Sequence, residues 1–163
     1  MDPEIVNSYC RRLRLSGISD NWQSLKSNSK EEYLCELLKL ELKAKNTRRT
    51  NRLLNQAKFP YLKTLEGFLW DDIELPTDLS IDQLISLDFI DKKDNLLLYG
   101  KVGTGKTHLA IALGVHACQI NKKVLYYSTQ DLINELVKRH RKETLPQFFK
   151  KMDKMDLIII DEL

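Results

Sequence analysis

The residues from Gly100 to Thr107, Gly-Lys-Val-Gly-Thr-Gly-Lys-Thr, have types and spacing that suit one task, the holding of a polyphosphate. They satisfy G-x-x-x-x-G-K-[ST] at every fixed position, and three of the six glycines in the 163-residue chain fall within this stretch. A loop wrapped around phosphate turns successive backbone N–H groups inward, which needs the unusual dihedrals and close approach that glycine permits. Lys106 is then placed to reach the β and γ phosphates of ATP and Thr107 to ligate Mg²⁺, while the following helix adds its positive N-terminal dipole. Gly100, Lys101, Val102, Gly103, Thr104, Gly105, Lys106, Thr107 and His108 form the expected nucleotide-binding segment, with ATP and Mg²⁺ as cofactors. A phosphate loop needs no histidine, so His108 itself reads as a packing or helix-start residue within that segment. His116 and His140 have no evident partner in the sequence.

A second group follows about fifty residues later. Leu157-Ile158-Ile159-Ile160 is an apolar strand pattern that runs directly into Asp161 and Glu162. In phosphate-binding α/β folds the ligand lies beyond the carboxyl ends of the strands. Asp161 is therefore expected to face the Mg²⁺ held by Thr107, and Glu162 to polarise an attacking water. Lys106 and Glu162 are the expected catalytic groups, and Thr107 and Asp161 the metal-binding ones. A third group is electrostatic. The net charge of +3 divides into +5 over residues 1–70 and −2 over residues 71–163, and from Lys43 to Lys63 seven cations occur with no acid. Lys45, Arg48, Arg49 and Arg52 cluster near one helical face and could track a nucleic-acid phosphate backbone, a reading that charge alone does not separate from a solvated face.

These groups need elements to position them. The pattern predicts a first helix from about Glu4 to Leu15, stopped by Gly17. It predicts a longer one opened by Ser29 and Glu32, carrying Leu34, Leu37 and Leu38 at helical spacing and running to Ala57. Phe59 to Pro76 mixes aromatics, acids and prolines and reads as a linker. A short helix opens at Ser80 with Gln83. Beyond it, strands and helices alternate: a strand at Leu96–Tyr99, a helix over Lys106–Gln119, a strand at Val124–Tyr127 bearing Tyr126 and Tyr127 as core and rim residues. A helix opened by Ser128 with Asp131, another near Thr144 to Pro146, and the strand at Leu157–Ile160 complete the series. Alternation of this kind implies parallel βαβ units. The domain reading is a basic helical region over 1–60, a linker and short helix over 61–90, and a nucleotide-binding part over 91–163.

Composition is ordinary for a globular chain, with 42% hydrophobic and 30% charged residues, and excludes a low-hydrophobicity disordered chain or a disulfide scaffold. No apolar run is long enough for a membrane span and the start, Met1-Asp2-Pro3-Glu4, is acidic, so a cytoplasmic location and no membrane partner are expected. Cys10, Cys35 and Cys118 are widely spaced and read as buried reduced thiols.

Taken together, the residues resemble the IstB-like ATPases, helper proteins of bacterial insertion sequences related to helicase loaders within the AAA+ class. The resemblance rests on Arg12-Leu13-Arg14-Leu15-Ser16-Gly17, Glu41 and Asn46 leading into Arg48-Arg49, Ala57-Lys58, Thr64-Leu65-Glu66, the run Gly103 to Ala110, and Leu157 to Glu162. It implies an α/β P-loop NTPase fold of the AAA+/ASCE kind with a parallel-sheet core, preceded by a helical N-terminal region. It also implies ATP-dependent work on DNA, the transposase of the same element as partner, and assembly of several copies. Family members often carry proline after the first loop glycine, where this chain has Lys101 and Val102, both at variable positions. The sequence ends at Leu163, directly after Glu162, whereas the resemblance implies a further strand with a γ-phosphate sensor and then an arginine finger. The expectation is a core incomplete at its C-terminus, with a gap in the sheet between the P-loop strand and the strand ending at Asp161. Two alternatives stand beside the transposition helper: a helicase-loader-type protein, and a catalytically silent DNA-binding or interaction module.

Overall fold

The computed structural model describes residues 3–27, 29–70, 73–77 and 79–162. The first two residues of the acidic start, and Asp71 and Asp72 of the expected linker, lie outside these. The chain divides into two compact units, the first ending at Asn51 and the second beginning at Arg52.

The first unit is helical. Helix α1 spans Pro3–Leu13, α2 spans Ser16–Asn21, and α3, Lys30–Ala57, begins in this unit and ends in the second. Pro3 opens α1 with its φ already helical, and Glu4 in the first turn complements the dipole. The expected stop at Gly17 is displaced. α1 ends earlier, where Arg14 takes a left-handed φ of 56° and the Leu15 N–H donates to the Cys10 carbonyl at 2.8 Å. Gly17 lies inside α2 and is buried for a packing reason. A Cβ there would stand 2.8 Å from the Leu40 carbonyl oxygen and 2.9 Å from Ala44 Cβ and Glu41 Cα, so only glycine lets α2 approach α3 this closely.

Ser29 caps α3, its hydroxyl accepting from the Glu32 N–H at 3.1 Å. Of the three leucines at helical spacing, only Leu37 is buried. Leu34 and Leu38 are 56% and 50% exposed. The residues of α3 that face α2 are Leu40, Glu41 and Ala44, and the apolar pattern alone does not distinguish two adjacent stripes. Trp22 Nε1 donates to Asn7 Oδ1 at 3.0 Å, and the Tyr33 hydroxyl donates to the Trp22 carbonyl at 2.6 Å, tying the three helices together.

The second unit is α/β. Phe59, Leu65, Phe68, Trp70, Ile73 and Leu75 pack against its core, so the segment read as a linker is part of the domain. These residues are half-buried, while Tyr61, Leu62 and Leu69 of the same segment are exposed. Ser80 and Gln83 form a reciprocal cap at the start of α4, Ile81–Ser86, with bonds of 3.2 and 2.8 Å. Helix α5, Asp88–Lys92, follows a left-handed Leu87. Then come α6 (Lys106–Gln119), β1 (Val124–Ser128), α7 (Thr129–Arg141), α8 (Leu145–Met152) and β2 (Leu157–Asp161).

Strands β1 and β2 pair in parallel, with Tyr126 opposite Ile159 and Ser128 opposite Asp161. Alternate residues face opposite ways. Val124, Tyr126, Leu157 and Ile159 join the cluster that contains Leu109, Ile111, Leu113 and Cys118 of α6. Leu125 and Tyr127 face Phe148 of α8, with Leu132 and Leu136 of α7 against them. The sheet is therefore covered on both faces, as a parallel sheet requires. At Gly114 of α6 a Cβ would stand 2.7 Å from Ile159 Cδ1 and 2.8 Å from the Phe59 ring, which sets how closely α6 sits on the sheet.

Leu96–Tyr99, expected as the first strand, is not in the sheet. Its residues still alternate: Leu96 and Leu98 pack on the core, while Leu97 and Tyr99 are 72% and 88% exposed. A strand needs a hydrogen-bonded neighbour, and no described strand lies beside this segment or bridges it to β2. One cysteine expectation also changes. Cys10 and Cys118 are buried, but Cys35 is exposed, because its place on α3 turns away from α2. Burial pushes the Cys118 thiol up to about 11.

Candidate functional site

The site is built where the loop after Leu96–Tyr99 meets the carboxyl end of β2. Gly100, Gly103 and Gly105 take φ values of 144°, 86° and 81°, the region in which a side chain is strained. Gly105 is the N-cap of α6, and the Leu109 N–H returns to its carbonyl at 2.8 Å to start the helix. Helix starts leave their first N–H groups without intrahelical acceptors, so these donors gather at the loop. Thr104 Oγ1 donates to the Lys101 carbonyl at 3.0 Å, bracing the loop. Lys106 Nζ donates to the Gly100 and Lys101 carbonyls at 2.9 and 2.7 Å, which holds the ammonium at the loop itself. Lys101 and Val102 are exposed at the tip.

Two segments 54 residues apart in sequence meet here. Thr107 Oγ1 donates to Asp161 Oδ1 at 3.1 Å. Asp161 also accepts from Tyr126 and Glu162. The Tyr126 hydroxyl donates to Oδ2 at 2.9 Å and the Glu162 N–H donates to Oδ1 at 3.0 Å. Thr129 Oγ1 donates to the Asp161 carbonyl oxygen at 3.0 Å. Burial and then the hydrogen bond to Asp161 push the Tyr126 phenol well above its ordinary value, so it stays protonated and able to donate. Glu162 is exposed and takes a left-handed φ of 60°, turning the chain as it leaves β2.

This donor set fits a magnesium nucleotide. Mg²⁺ takes hard oxygen ligands, usually one or two from protein with the rest from water and phosphate, and a hydroxyl and a carboxylate oxygen 3.1 Å apart offer that pair. The glycine-lined loop, the lysine and the 14-residue helix α6 offer donors and positive charge to phosphate.

His108 follows the loop at the start of α6, next to Phe68, whose ring lies against the Gly105 position. Its Nε2 is 3.3 Å from the Thr64 carbonyl oxygen, and its ring stands edge-on to Phe68 at 5.1 Å. The segment from Thr64 to Trp70 is thereby fastened to the start of α6. On α3, Lys45 and Arg48 are drawn to Glu41, at 3.8 and 3.2 Å. Glu41 is only 4% exposed and also accepts the Ile18 N–H at 3.2 Å. Arg49 and Arg52 are exposed on the same helix.

Residues 10–163 match the family described as IstB-like ATP binding protein. The chain belongs to that family. It is 32% identical, over 98% of its length, to the insertion sequence IS5376 putative ATP-binding protein of Geobacillus stearothermophilus, of which it covers 66%. It is also 32% identical, over 93% of its length, to the insertion sequence IS21 putative ATP-binding protein of Pseudomonas aeruginosa, of which it covers 60%. A shorter likeness, 43% over 70 residues, links 42% of the chain to 16% of the chromosomal replication initiator protein DnaA of Geotalea uraniireducens (strain Rf4). This IstB-like chain thus spans less than two thirds of the length of these two insertion-sequence relatives.

Tyr126 and Thr129 of this IstB-like chain are site residues that the sequence pattern does not single out. A signal for Tyr126 is present: a tyrosine in a buried apolar strand needs a partner for its hydroxyl. The parallel pairing that turns it toward Asp161 is not legible without the register.

Proposed function

We propose that this chain binds ATP with Mg²⁺ at the Gly100–Thr107 loop and works on DNA in the cytoplasm as the ATP-binding helper of an insertion sequence, together with that element's transposase and further copies of itself. The observation that carries the nucleotide reading is the hydrogen bond between Thr107 Oγ1 and Asp161 Oδ1. It joins the two motifs whose chemistry is complementary. Lys106 exchanges the neutral Gly100 and Lys101 carbonyls for anionic phosphate oxygens, which are stronger acceptors. Thr107 and Asp161 would hold Mg²⁺, which would supply positive charge to the nucleotide phosphates. Glu162, exposed at the end of β2, is the carboxylate available to orient a water. Calorimetric titration with ATP tests the reading. One-to-one binding that weakens at least about tenfold when EDTA replaces Mg²⁺ is expected, in line with the loss of a divalent charge at the phosphates. Absence of binding in Mg²⁺, or equal binding in the two conditions, contradicts it. Hydrolysis measured with the same chain would exclude a catalytically silent module.

The DNA reading rests on the charge run along α3 and on the family. Filter binding to duplex DNA at several salt concentrations checks it. Replacing Arg49 and Arg52 together by Gln is expected to reduce the slope of log K against log salt by about 2, close to 0.9 for each phosphate no longer neutralised. Replacing Arg48 is expected to change it less, because Glu41 already holds that guanidinium. A slope unaffected by Arg49 and Arg52 contradicts a phosphate-tracking role for this helix.

A further inference from the structure

We propose that Tyr126 is a positioning residue for Asp161, holding that carboxylate so that the Thr107–Asp161 pair is preformed to take Mg²⁺; this rests on the magnesium nucleotide reading above. Asp161 ends β2, and its side chain has a soft terminal torsion that by itself selects no orientation. The register places Tyr126 opposite Ile159, two residues before Asp161 and on the same face of the sheet. From there the hydroxyl reaches forward and donates to Oδ2 at 2.9 Å, while Oδ1 accepts from Thr107 and from the Glu162 N–H. The two carboxylate oxygens are thus told apart: one is held by β1, and the other faces the loop.

The tyrosine is a firm support. Its ring is buried in the core cluster and packs against Phe59, with centroids 6.1 Å apart. Neighbouring groups complete the fixation, since Thr129 Oγ1, at the start of α7, donates to the Asp161 carbonyl oxygen at 3.0 Å. β1 and α7 together therefore set where the acidic end of β2 points. The Tyr126 hydroxyl and Thr129 Oγ1 bond to Asp161 and to no residue of the Gly100–Thr107 loop, so the effect of the tyrosine's hydrogen bond on a nucleotide runs through Asp161.

Tyr126→Phe in the full chain tests this, because it keeps the ring and removes only the hydroxyl. ATP affinity is measured in Mg²⁺ and in EDTA, and circular dichroism checks the fold. The expected result is an EDTA affinity within about twofold of the parent and a Mg²⁺ gain reduced by about fivefold to tenfold, the size of one ordinary lost hydrogen bond. In an Asp161→Ala background, adding Tyr126→Phe should change nothing further, since the tyrosine acts through that carboxylate. An undiminished Mg²⁺ gain overturns the proposal. So does an equal loss in Mg²⁺ and EDTA, which marks a purely structural role, or a further loss in the Asp161→Ala background. A parent chain that binds ATP equally with and without Mg²⁺ overturns the magnesium reading and the proposal with it, and that result is read before any substitution is made.

Discussion

Lys106→Ala is expected to weaken ATP binding by about 100-fold while leaving the fold intact, the loss of charge-assisted bonds to two phosphates at once. The lysine is the one loop residue whose side chain brings a full positive charge into the glycine-lined turn. Its Nζ now satisfies two carbonyls of its own loop, at Gly100 and Lys101. Removing it leaves those carbonyls at the surface, where water replaces the donor, so thermal unfolding should shift by no more than the effect of about 0.5 kcal/mol typical of surface substitutions. Calorimetry reads the affinity and a melting curve reads the fold. An affinity equal to the parent's would remove the phosphate-binding role from this loop, because no other cation replaces the lysine within the Gly100–Thr107 motif except Lys101, which is exposed at the tip.

The second large effect concerns stability. Gly17→Ala is expected to destabilise the N-terminal unit by about 1–3 kcal/mol, the cost of forcing extra volume into a close-packed contact. The sign is informative. Within a helix, replacing glycine by alanine ordinarily stabilises by roughly 0.5–1 kcal/mol. At Gly17 the added Cβ meets the Leu40 carbonyl oxygen and Glu41 Cα, both backbone atoms of α3 that cannot swing aside. Urea unfolding followed by circular dichroism decides between the two signs. A stabilised Gly17→Ala protein would contradict the packing of α2 on α3. The same interface buries Glu41 and gathers Arg48 and Lys45 around it, so its disturbance should also release those two cations.

The candidate site is largely legible in the sequence. A glycine-rich loop followed by Lys-Thr constrains its own backbone, and an apolar strand ending in acids points its last side chains beyond the sheet, so short-range pattern suffices to name Lys106, Thr107 and Asp161. The capping signals at Ser29, Ser80 and Ser128 are equally local and mark helix starts in the structure. What local pattern does not supply is proximity between distant segments. Gly17 has the look of a helix stop, and only the approach of α3 makes it a helix-packing residue. Phe59, Phe68 and Trp70 sit among acids and prolines, and only the surface offered by α6 and its neighbours makes them core. Tyr126 looks like an ordinary strand tyrosine until the register turns it toward Asp161. Leu96–Tyr99 shows the reverse case: it keeps the alternation of a strand, but strand structure is a property of a pair and the segment has no described partner.

The central claim is that nucleotide phosphates sit in the Gly100–Thr107 loop. A competing location exists in the same unit. A cavity of about 370 Å³ lies at the N-terminal ends of β1 and β2, lined in part by Lys58, Lys123 and Lys151, and its cationic rim would also attract phosphate. The most direct test is residue-resolved amide chemical-shift mapping of the ¹⁵N-labelled chain during titration with Mg²⁺ and ATP. The largest changes are expected on Gly103, Thr104, Gly105, Lys106 and Thr107, with Asp161 and Glu162 responding when Mg²⁺ is present. Largest changes at Lys58, Lys123, Val124 and Lys151, with the loop amides unmoved, would contradict the central claim.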